Sequence, residues 1–162
     1  MPEPRQVVEE WLDAFEALDM ERVMAALADD IVIETESLGE PIRGRDTVRG
    51  LLEEGFGAYE AIDVDRRLVV ASGGDVAVLL SMRVRFGDDV VVLGETLPTR
   101  GKDVRIAGAL FASVDDTGRI RRIARVRDTL SLILQLGIPA EQANRLMDRV
   151  ERRVGERRPR AA

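Results

Sequence analysis

The side chains that could carry out acid-base or nucleophilic chemistry are few in kind in this sequence. It contains no His and no Cys, and Lys102 is its only Lys. Ser-His triads, thiolate nucleophiles and His-based zinc sites are therefore excluded, and a lysine Schiff base has one candidate. Carboxylates are plentiful, but their spacing is not that of a metal site. We predict neither a bound metal nor a cofactor.

Charged residues on predicted strands are the remaining candidates for chemistry. Asp128 follows the last predicted strand, where it could be a carboxylate at the mouth of a pocket or the N-cap of the next helix. We favour the cap, because Asp is a preferred N-cap residue and an anion stabilises a helix N-terminus. A second charged set could meet in a pocket or lie on a solvated surface; its members are Glu34, Glu36, Arg83 and Arg85.

Large apolar side chains form a further candidate group. Such residues usually build the core, but in a hollow domain the core and the wall of a ligand pocket coincide. The six that we expect to contact a small molecule are Trp11, Phe15, Phe56, Tyr59, Met82 and Phe111.

The elements that position these residues begin with helices. Apolar residues from Pro4 to Leu18 recur at helical spacing, and Pro4 suits the first turn. Asp19 can cap a short second helix that carries Leu27 and ends at Asp29-Asp30. A β-rich run at residues 31–33 and a polar loop at 37–44 follow. A third helix starts at Asp46 or Thr47 and ends near Gly55 and Gly57.

Beyond Ala61 the hydrophobic pattern changes from helical to alternating, which predicts strands. Glycine-containing turns separate these strands, so we expect an antiparallel meander. Helices followed by such a meander indicate an α+β fold in which the helices cover one face of a curved sheet. The predicted strands cover residues 62–70, 75–86, 104–114 and 119–127.

A last amphipathic helix runs from Pro139 to Gly155, and its apolar stripe could pack on the body or on a second subunit. With 162 residues and 45% hydrophobic content, the chain is expected to form one core. We divide it into a main domain at residues 1–138, the C-terminal helix at 139–155 and a disordered tail at 156–162.

The charge pattern bears on possible partners. Residues 141–162 carry seven Arg against four carboxylates, so the net charge of −6 divides into +3 for this segment and −9 for the rest. An acidic body is a poor binder of nucleic acid. No apolar stretch is long enough to span a membrane, and the N-terminus lacks the pattern of a secretion signal, so we expect a cytoplasmic protein.

Two segments resemble a known family. Residues 94–104, which read GETLPTRGKDV, resemble a Gly-x-x-x-Pro-Pro-Thr-Gly-Arg loop that leads into a strand. Residues 118–120, Asp128 and residues 132–137 resemble a closing signature of the form Gly-Lys-Ile…Asp…Leu-Leu-x-Gln-Leu-Gly. Together with the element order, they resemble the SnoaL-like polyketide cyclase or ester cyclase branch of the nuclear transport factor two-like superfamily. The resemblance covers about residues 5–138 and implies a cone-shaped fold.

The resemblance also implies positions for catalytic residues, and their usual chemistry is missing. Arg125 occupies the position of the catalytic Asp of the cyclases, and the His that assists this Asp would fall near Leu110. The catalytic base of ketosteroid isomerase would fall near Thr35. If Arg125 points inward, it could bind an anionic or enolate-like oxygen; if outward, it is one more solvated Arg. Epoxide hydrolases of the superfamily use an Arg-x-Asp pair, which here reads Arg83-Val84-Arg85. A surface strand is the better interpretation, although Arg83, like Thr35, remains a candidate substrate contact.

Functions of three kinds fit these observations. The first is a cyclase or isomerase that works without a cofactor on an apolar polycyclic or polyketide-like molecule, with Arg125 or Asp128 assisting. The second is a non-catalytic binder of an apolar ligand or an accessory protein, and the third is an epoxide hydrolase-like enzyme. The resemblance further implies a homodimer.

Overall fold

A computed structural model describes the chain over residues 2–35 and 38–156. The elements in this part, in chain order, are α1 (Pro4–Glu16), α2 (Met20–Ala25), β1 (Leu27–Thr35), β2 (Ile42–Arg43), α3 (Arg45–Phe56), β3 (Tyr59–Ser72), β4 (Asp75–Phe86), β5 (Val90–Val92), β6 (Glu95–Leu97), β7 (Asp103–Val114), β8 (Ile120–Arg127), α4 (Thr129–Leu136) and α5 (Ala140–Glu156). The α+β fold with early helices and late strands is confirmed.

The main sheet is a six-stranded, curved and open sheet with the order β2-β1-β8-β7-β4-β3. The run β3-β4-β7-β8 is the predicted meander, in which each strand lies antiparallel to the one before it. The sheet is mixed rather than wholly antiparallel, because β1 runs parallel to β8. A hairpin cannot join a parallel pair, and here most of the chain, from α3 to β7, separates the two strands.

The second helix is shorter than the sequence predicted. It is capped by Asp19, whose carboxylate accepts a hydrogen bond from the Arg22 backbone N–H at 3.1 Å, and it ends at Ala25. Leu27, expected on that helix, instead begins β1 and pairs with Ile120. Pairing with the parallel strand outweighs the local helical preference of this segment.

The strand alternation of β4 separates two faces of the sheet. Even-numbered side chains such as Val76, Val78 and Val84 are buried under the helices, and we call this the inner face. Odd-numbered side chains such as Leu79 and Arg83 are exposed on the outer face. Because β-strand side chains alternate in direction, register assigns the paired residues of β3, β7 and β8 to a face.

Helices α1 and α3 lie over the inner face. Arg66 of β3 forms ion pairs with Asp13 and Glu16 of α1, and the second of these measures 3.0 Å. Glu16 also accepts a hydrogen bond from the Val64 backbone N–H at 2.7 Å. These contacts hold the C-terminal half of α1 against β3, so that its aromatic stripe faces the sheet.

The last helix, α5, packs on its own body. Arg153 forms a 2.6 Å ion pair with Glu54 of α3, Arg149 lies 3.4 Å from Glu95, and Val154 is buried. The apolar stripe of α5 therefore packs on the body of its own chain, the first of the two alternatives that the sequence left open. No helix within the two described ranges is long and apolar enough to cross a membrane. Of the tail expected at 156–162, residues 157–162 lie outside the described part of the chain.

Candidate functional site

A cavity of about 210 Å³ lies between α1, α3 and the inner face of the sheet. Nearly all of its wall is apolar, and its polar groups come from α1, β3 and β8. The lining residues that matter for its chemistry are Trp11, Phe15, Phe56, Tyr59, Met82, Arg125 and Arg127.

One side of the cavity is a continuous series of aromatic rings. The ring centroids of Trp11 and Phe15 are 4.8 Å apart, those of Phe15 and Phe56 are 5.3 Å apart, and those of Phe56 and Tyr59 are 5.8 Å apart. The first two pairs meet edge to face, the arrangement that the ring quadrupole favours. Five of the six large apolar residues selected from the sequence therefore lie in this wall, since Met82 joins it from β4.

Strand β8 presents Ile123, Arg125 and Arg127 to the cavity. Ile123 is buried, which fixes the inner face that the sequence pattern left open. Arg125 points inward and is half-buried. Its register partners are Thr35 on β1 and Leu110 on β7, so the three positions that the family resemblance selected lie in one row across the sheet. Leu110 lines the cavity, whereas Thr35 is buried beside it and is not part of the wall.

Arg127 is a site residue that sequence reasoning missed. It lies two positions after Arg125, and the same alternation that turns Arg125 inward turns Arg127 inward. Its Nε is buried and has no hydrogen-bond partner among the described residues. The signal was present in the sequence, because an Arg at i and i+2 on a strand must share a face.

Tyr59 places a phenol beside these two arginines. Its hydroxyl lies over Gly55 of α3, where a Cβ would come within 3.1 Å of the phenol oxygen. Burial raises the pKa of Tyr59, and the positive charges of Arg127 and Arg125 act in the opposite direction. The net direction is upward from an ordinary value of about 10, so the phenol is protonated at neutral pH and can donate a hydrogen bond.

Asp128 is a helix cap and does not line the cavity. Its carboxylate accepts a hydrogen bond from the Ser131 backbone N–H at 2.9 Å at the start of α4. This is the role that the sequence favoured for it. A catalytic role for Asp128 has no support from its position.

Two of the candidate substrate contacts are on the wrong face of the sheet. Phe111 is 53% exposed on the outer face, because it is odd-numbered on β7 and its neighbours Leu110 and Ala112 point inward. Arg83 is likewise on the outer face of β4. There its Nε donates hydrogen bonds to the two carboxylate oxygens of Asp103, at 2.9 and 3.0 Å. Neither can reach a ligand in the cavity, so the placement predicted for both is corrected.

The proposed charged set does not assemble. Glu34 pairs with Arg122 at 2.7 Å, Arg85 lies 3.6 Å from Glu60, and Glu36 lies outside the described residues. Residues 2–35 and 38–156 contain no group of three acidic side chains arranged to hold a metal ion.

Comparison with known proteins agrees with this architecture. The SnoaL-like domain family matches residues 8–123. None of the curated proteins compared with the chain matches it significantly. Among solved structures, an LEH-like epoxide hydrolase from M. tuberculosis is 25% identical, with a TM-score of 0.64 over 82% of this chain and 88% of that one.

Two further structures show the same fold at lower identity. IdmH, a candidate polyketide cyclase from Streptomyces antibioticus, is 21% identical, with a TM-score of 0.66 over 85% of this chain and 100% of its own. A candidate SnoaL-like polyketide cyclase from Shewanella denitrificans is 16% identical, with a TM-score of 0.71 over 86% of this chain and 100% of that one. Because the family match covers more than half of its residues, the chain belongs to the SnoaL-like domain family.

Proposed function

We propose that the protein binds an apolar, polyketide-type molecule in the cavity between α1, α3 and the sheet, and promotes its cyclisation or isomerisation without a cofactor. The observation that carries this proposal is the inward position of Arg125 in a mostly apolar wall. A guanidinium placed against a carbonyl oxygen stabilises the negative charge that develops when the carbonyl becomes an enolate. The aromatic wall holds the folded substrate, and positioning of this kind can supply much of a rate enhancement.

The size of the cavity limits the substrate. An engineered apolar cavity of about 150 Å³ binds benzene. A cavity of about 210 Å³ therefore encloses one or two rings, and a larger polycycle would extend through the cavity mouth. We accordingly narrow the expected ligand from polycyclic to bicyclic or smaller.

The rate that we expect is modest. None of the described lining residues is Asp, Glu or His, so the proton that leaves the α-carbon passes to water. A positioned general base typically contributes about 10²-fold to 10⁴-fold, and this chain supplies none in the described wall. The same feature favours the alternative of a non-catalytic ligand-binding protein. The lack of a carboxylate in the described wall also argues against epoxide hydrolysis, because a carboxylate would have to activate the attacking water.

A transannular aldol reaction tests the proposal directly. Cyclodecane-1,6-dione is of bicyclic size; one ketone enolises, its α-carbon attacks the other carbonyl, and loss of water leaves a conjugated enone that is followed by its absorbance. We expect the wild-type protein to exceed the buffer rate and Arg125→Ala to be at least tenfold slower, since one oxyanion donor is typically worth about 10²-fold to 10³-fold. Arg121→Ala removes the same charge from an exposed position of β8 and serves as the matched control.

Binding is measured separately with a ligand that the protein cannot convert. Trp11 is the only Trp and lines the cavity, so its fluorescence should change when the neutral ketone 1-decalone binds. Binding without turnover of the dione would favour the non-catalytic alternative. Absence of binding would refute the small-molecule pocket itself.

We also propose that the protein is a homodimer through the outer face of the sheet. Apolar side chains are exposed side by side there, and contiguous exposed apolar surface marks an interaction site. These residues are Leu68, Val70, Leu79, Phe111 and Val126.

Light scattering should give twice the 18.0 kDa of one chain, and Phe111→Glu should give the monomer. Val91→Glu, at an exposed apolar position on β5 away from this face, should remain dimeric. A monomeric wild-type protein would contradict the proposal.

A further inference from the structure

The polar side chains of the cavity wall are hydrogen-bond donors. Arg125 and Arg127 can only donate, the indole of Trp11 can only donate, and the protonated phenol of Tyr59 can do both. None of the lining residues in the described part of the chain is a carboxylate. The wall therefore offers positive charge and N–H groups to a ligand but no matching negative charge.

Within the described residues, the wall contains buried donor atoms without an acceptor. The Nε of Arg127 and the indole Nε1 of Trp11 are both buried without a hydrogen-bond partner. A buried donor without an acceptor is destabilising, and a charged donor more so than a neutral one. An unsatisfied charged donor in the wall of a cavity, such as the Nε of Arg127, indicates an acceptor that arrives with the ligand.

Tyr59 supplies a further donor beside Arg127. The charges of Arg127 and Arg125 act on the pKa of its phenol, so Tyr59, Arg125 and Arg127 lie near one another. The aromatic rings of Trp11, Phe15 and Phe56 continue from Tyr59 into the apolar part of the cavity. A ligand that placed a charged end at β8 would extend its apolar body along these rings.

We propose that the natural ligand is an apolar carboxylate of one or two rings, and that Arg127 binds its carboxylate. Tyr59 is the neutral donor beside it, and the guanidinium fork suits the two oxygens of a carboxylate. This assignment rests on the proposed small-molecule pocket and specifies the class of its ligand. It concerns binding alone and is independent of whether the protein catalyses a reaction.

Two nearly isosteric probes separate the charge from the shape of the ligand. Isothermal titration calorimetry would compare naphthalene-2-carboxylate with naphthalene-2-carboxamide, which has the same ring system and a neutral head group. We expect the carboxylate to bind the wild-type protein roughly tenfold to 100-fold more tightly, the range of a charge-assisted hydrogen bond. Equal affinities would overturn the assignment with no variant required.

A charge-removing substitution then locates the preference. Arg127→Gln should lower the affinity for the carboxylate to that for the amide and leave the affinity for the amide within about threefold. Arg121→Gln, which removes one charge from an exposed position on the same strand, should keep the wild-type preference. A preference that survives Arg127→Gln would refute the role of Arg127. If neither probe binds the wild-type protein, both the proposed small-molecule pocket and this inference are refuted. If only the amide binds tightly, the proposed pocket stands and only the assignment of a carboxylate ligand is refuted.

Discussion

Replacing Asp128 tests whether the last Asp of the closing signature is a structural cap or a catalytic group. In the structure its carboxylate accepts a 2.9 Å hydrogen bond from the Ser131 backbone N–H, the bond expected of an N-cap. Ala removes both this bond and the negative charge at the start of α4. Asn keeps an oxygen that can accept the bond and removes only the charge.

The expected magnitudes follow from these contacts. Loss of an N-cap to Ala typically costs about 1 kcal/mol, within a range of roughly 0.5–2 kcal/mol. For a chain of this length, about 1 kcal/mol lowers Tm by roughly 2–4 °C. Asp128→Asn should cost less than about 0.5 kcal/mol, because Asn is as good an N-cap as Asp and the lost charge lies at an exposed helix end.

Urea denaturation of both variants measures the stability, and turnover of cyclodecane-1,6-dione with binding of 1-decalone measures the function. We expect Asp128→Asn to match the wild-type protein in both functional assays within about twofold, because the side chain does not line the cavity. A variant with Asn that keeps its stability but loses tenfold or more of the turnover would refute the cap and identify a catalytic carboxylate. Unchanged stability of Asp128→Ala would refute the cap on its own.

Two further predictions concern the sheet. Gly108→Ala should destabilise the protein by roughly 1–3 kcal/mol in urea denaturation, because the new Cβ would lie 2.4 Å from the Val126 carbonyl oxygen and must push β7 and β8 apart; an unchanged midpoint would contradict this close approach. Hydrogen bonds from the Thr117 hydroxyl and the Arg119 backbone N–H hold the pKa of Asp115 below its usual range. The stability that this carboxylate contributes is therefore complete above its unfolded pKa of about 4 and is lost as the pH falls through the lowered value, so the acid side of the stability curve should be shallower in Asp115→Asn.

The order of elements was predictable because its signals are local. The change from helical to alternating periodicity near Ala61 marks the start of β3 within a few residues, and the predicted strand at residues 75–86 matches β4. The small hairpin of β5 and β6 was not predicted. Its two-residue turn places Leu93 and Gly94 at positive φ, and Leu is a poor sequence signal for such a turn.

Long-range pairing was the part that local signals could not predict. Whether Leu27 continues a helix or starts a strand depends on its pairing with Ile120, which lies far along the chain. The face occupied by Arg125 depends in the same way on the register of β8. The strand has a bulge between its pairings to Ser113 and Val114, which shifts the alternation that Ile120 would otherwise define. Sequence parity therefore left both faces open for Arg125 and, with it, for Arg127, which must share its face.

The misplaced Phe111 has a different cause. Large aromatic side chains are usually buried, so an aromatic on a predicted strand is expected in the core. On β7, however, Leu110 and Ala112 face inward, and alternation then forces Phe111 to the outer face. An aromatic that the pattern places on the exposed face of a strand is therefore not part of a pocket on the opposite face.

The closing signature, on which part of the family resemblance rested, is explained by structure rather than by chemistry. Strand β8 ends at Arg127, so the edge of β7 that would face it is unpaired at Arg105. The Gln135 side chain fills this gap, since its amide accepts from the Arg105 N–H and donates to the Arg105 carbonyl, both at 2.8 Å. Asp128 caps the start of the helix that carries Gln135.

The other end of that helix is fixed in a similar way. Lys102 donates a hydrogen bond to the Leu136 carbonyl, and Gly137 adopts the left-handed conformation that ends the helix. Each of these residues holds α4 along an open sheet edge, and none of them is part of the cavity wall. Proteins with different reactions can share a signature built from such contacts. These contacts stabilise the fold around the cavity and leave the cavity-facing positions of β8 free to change. The polar side chains that β3 and β8 present to a ligand in this cavity are Arg125, Arg127 and Tyr59.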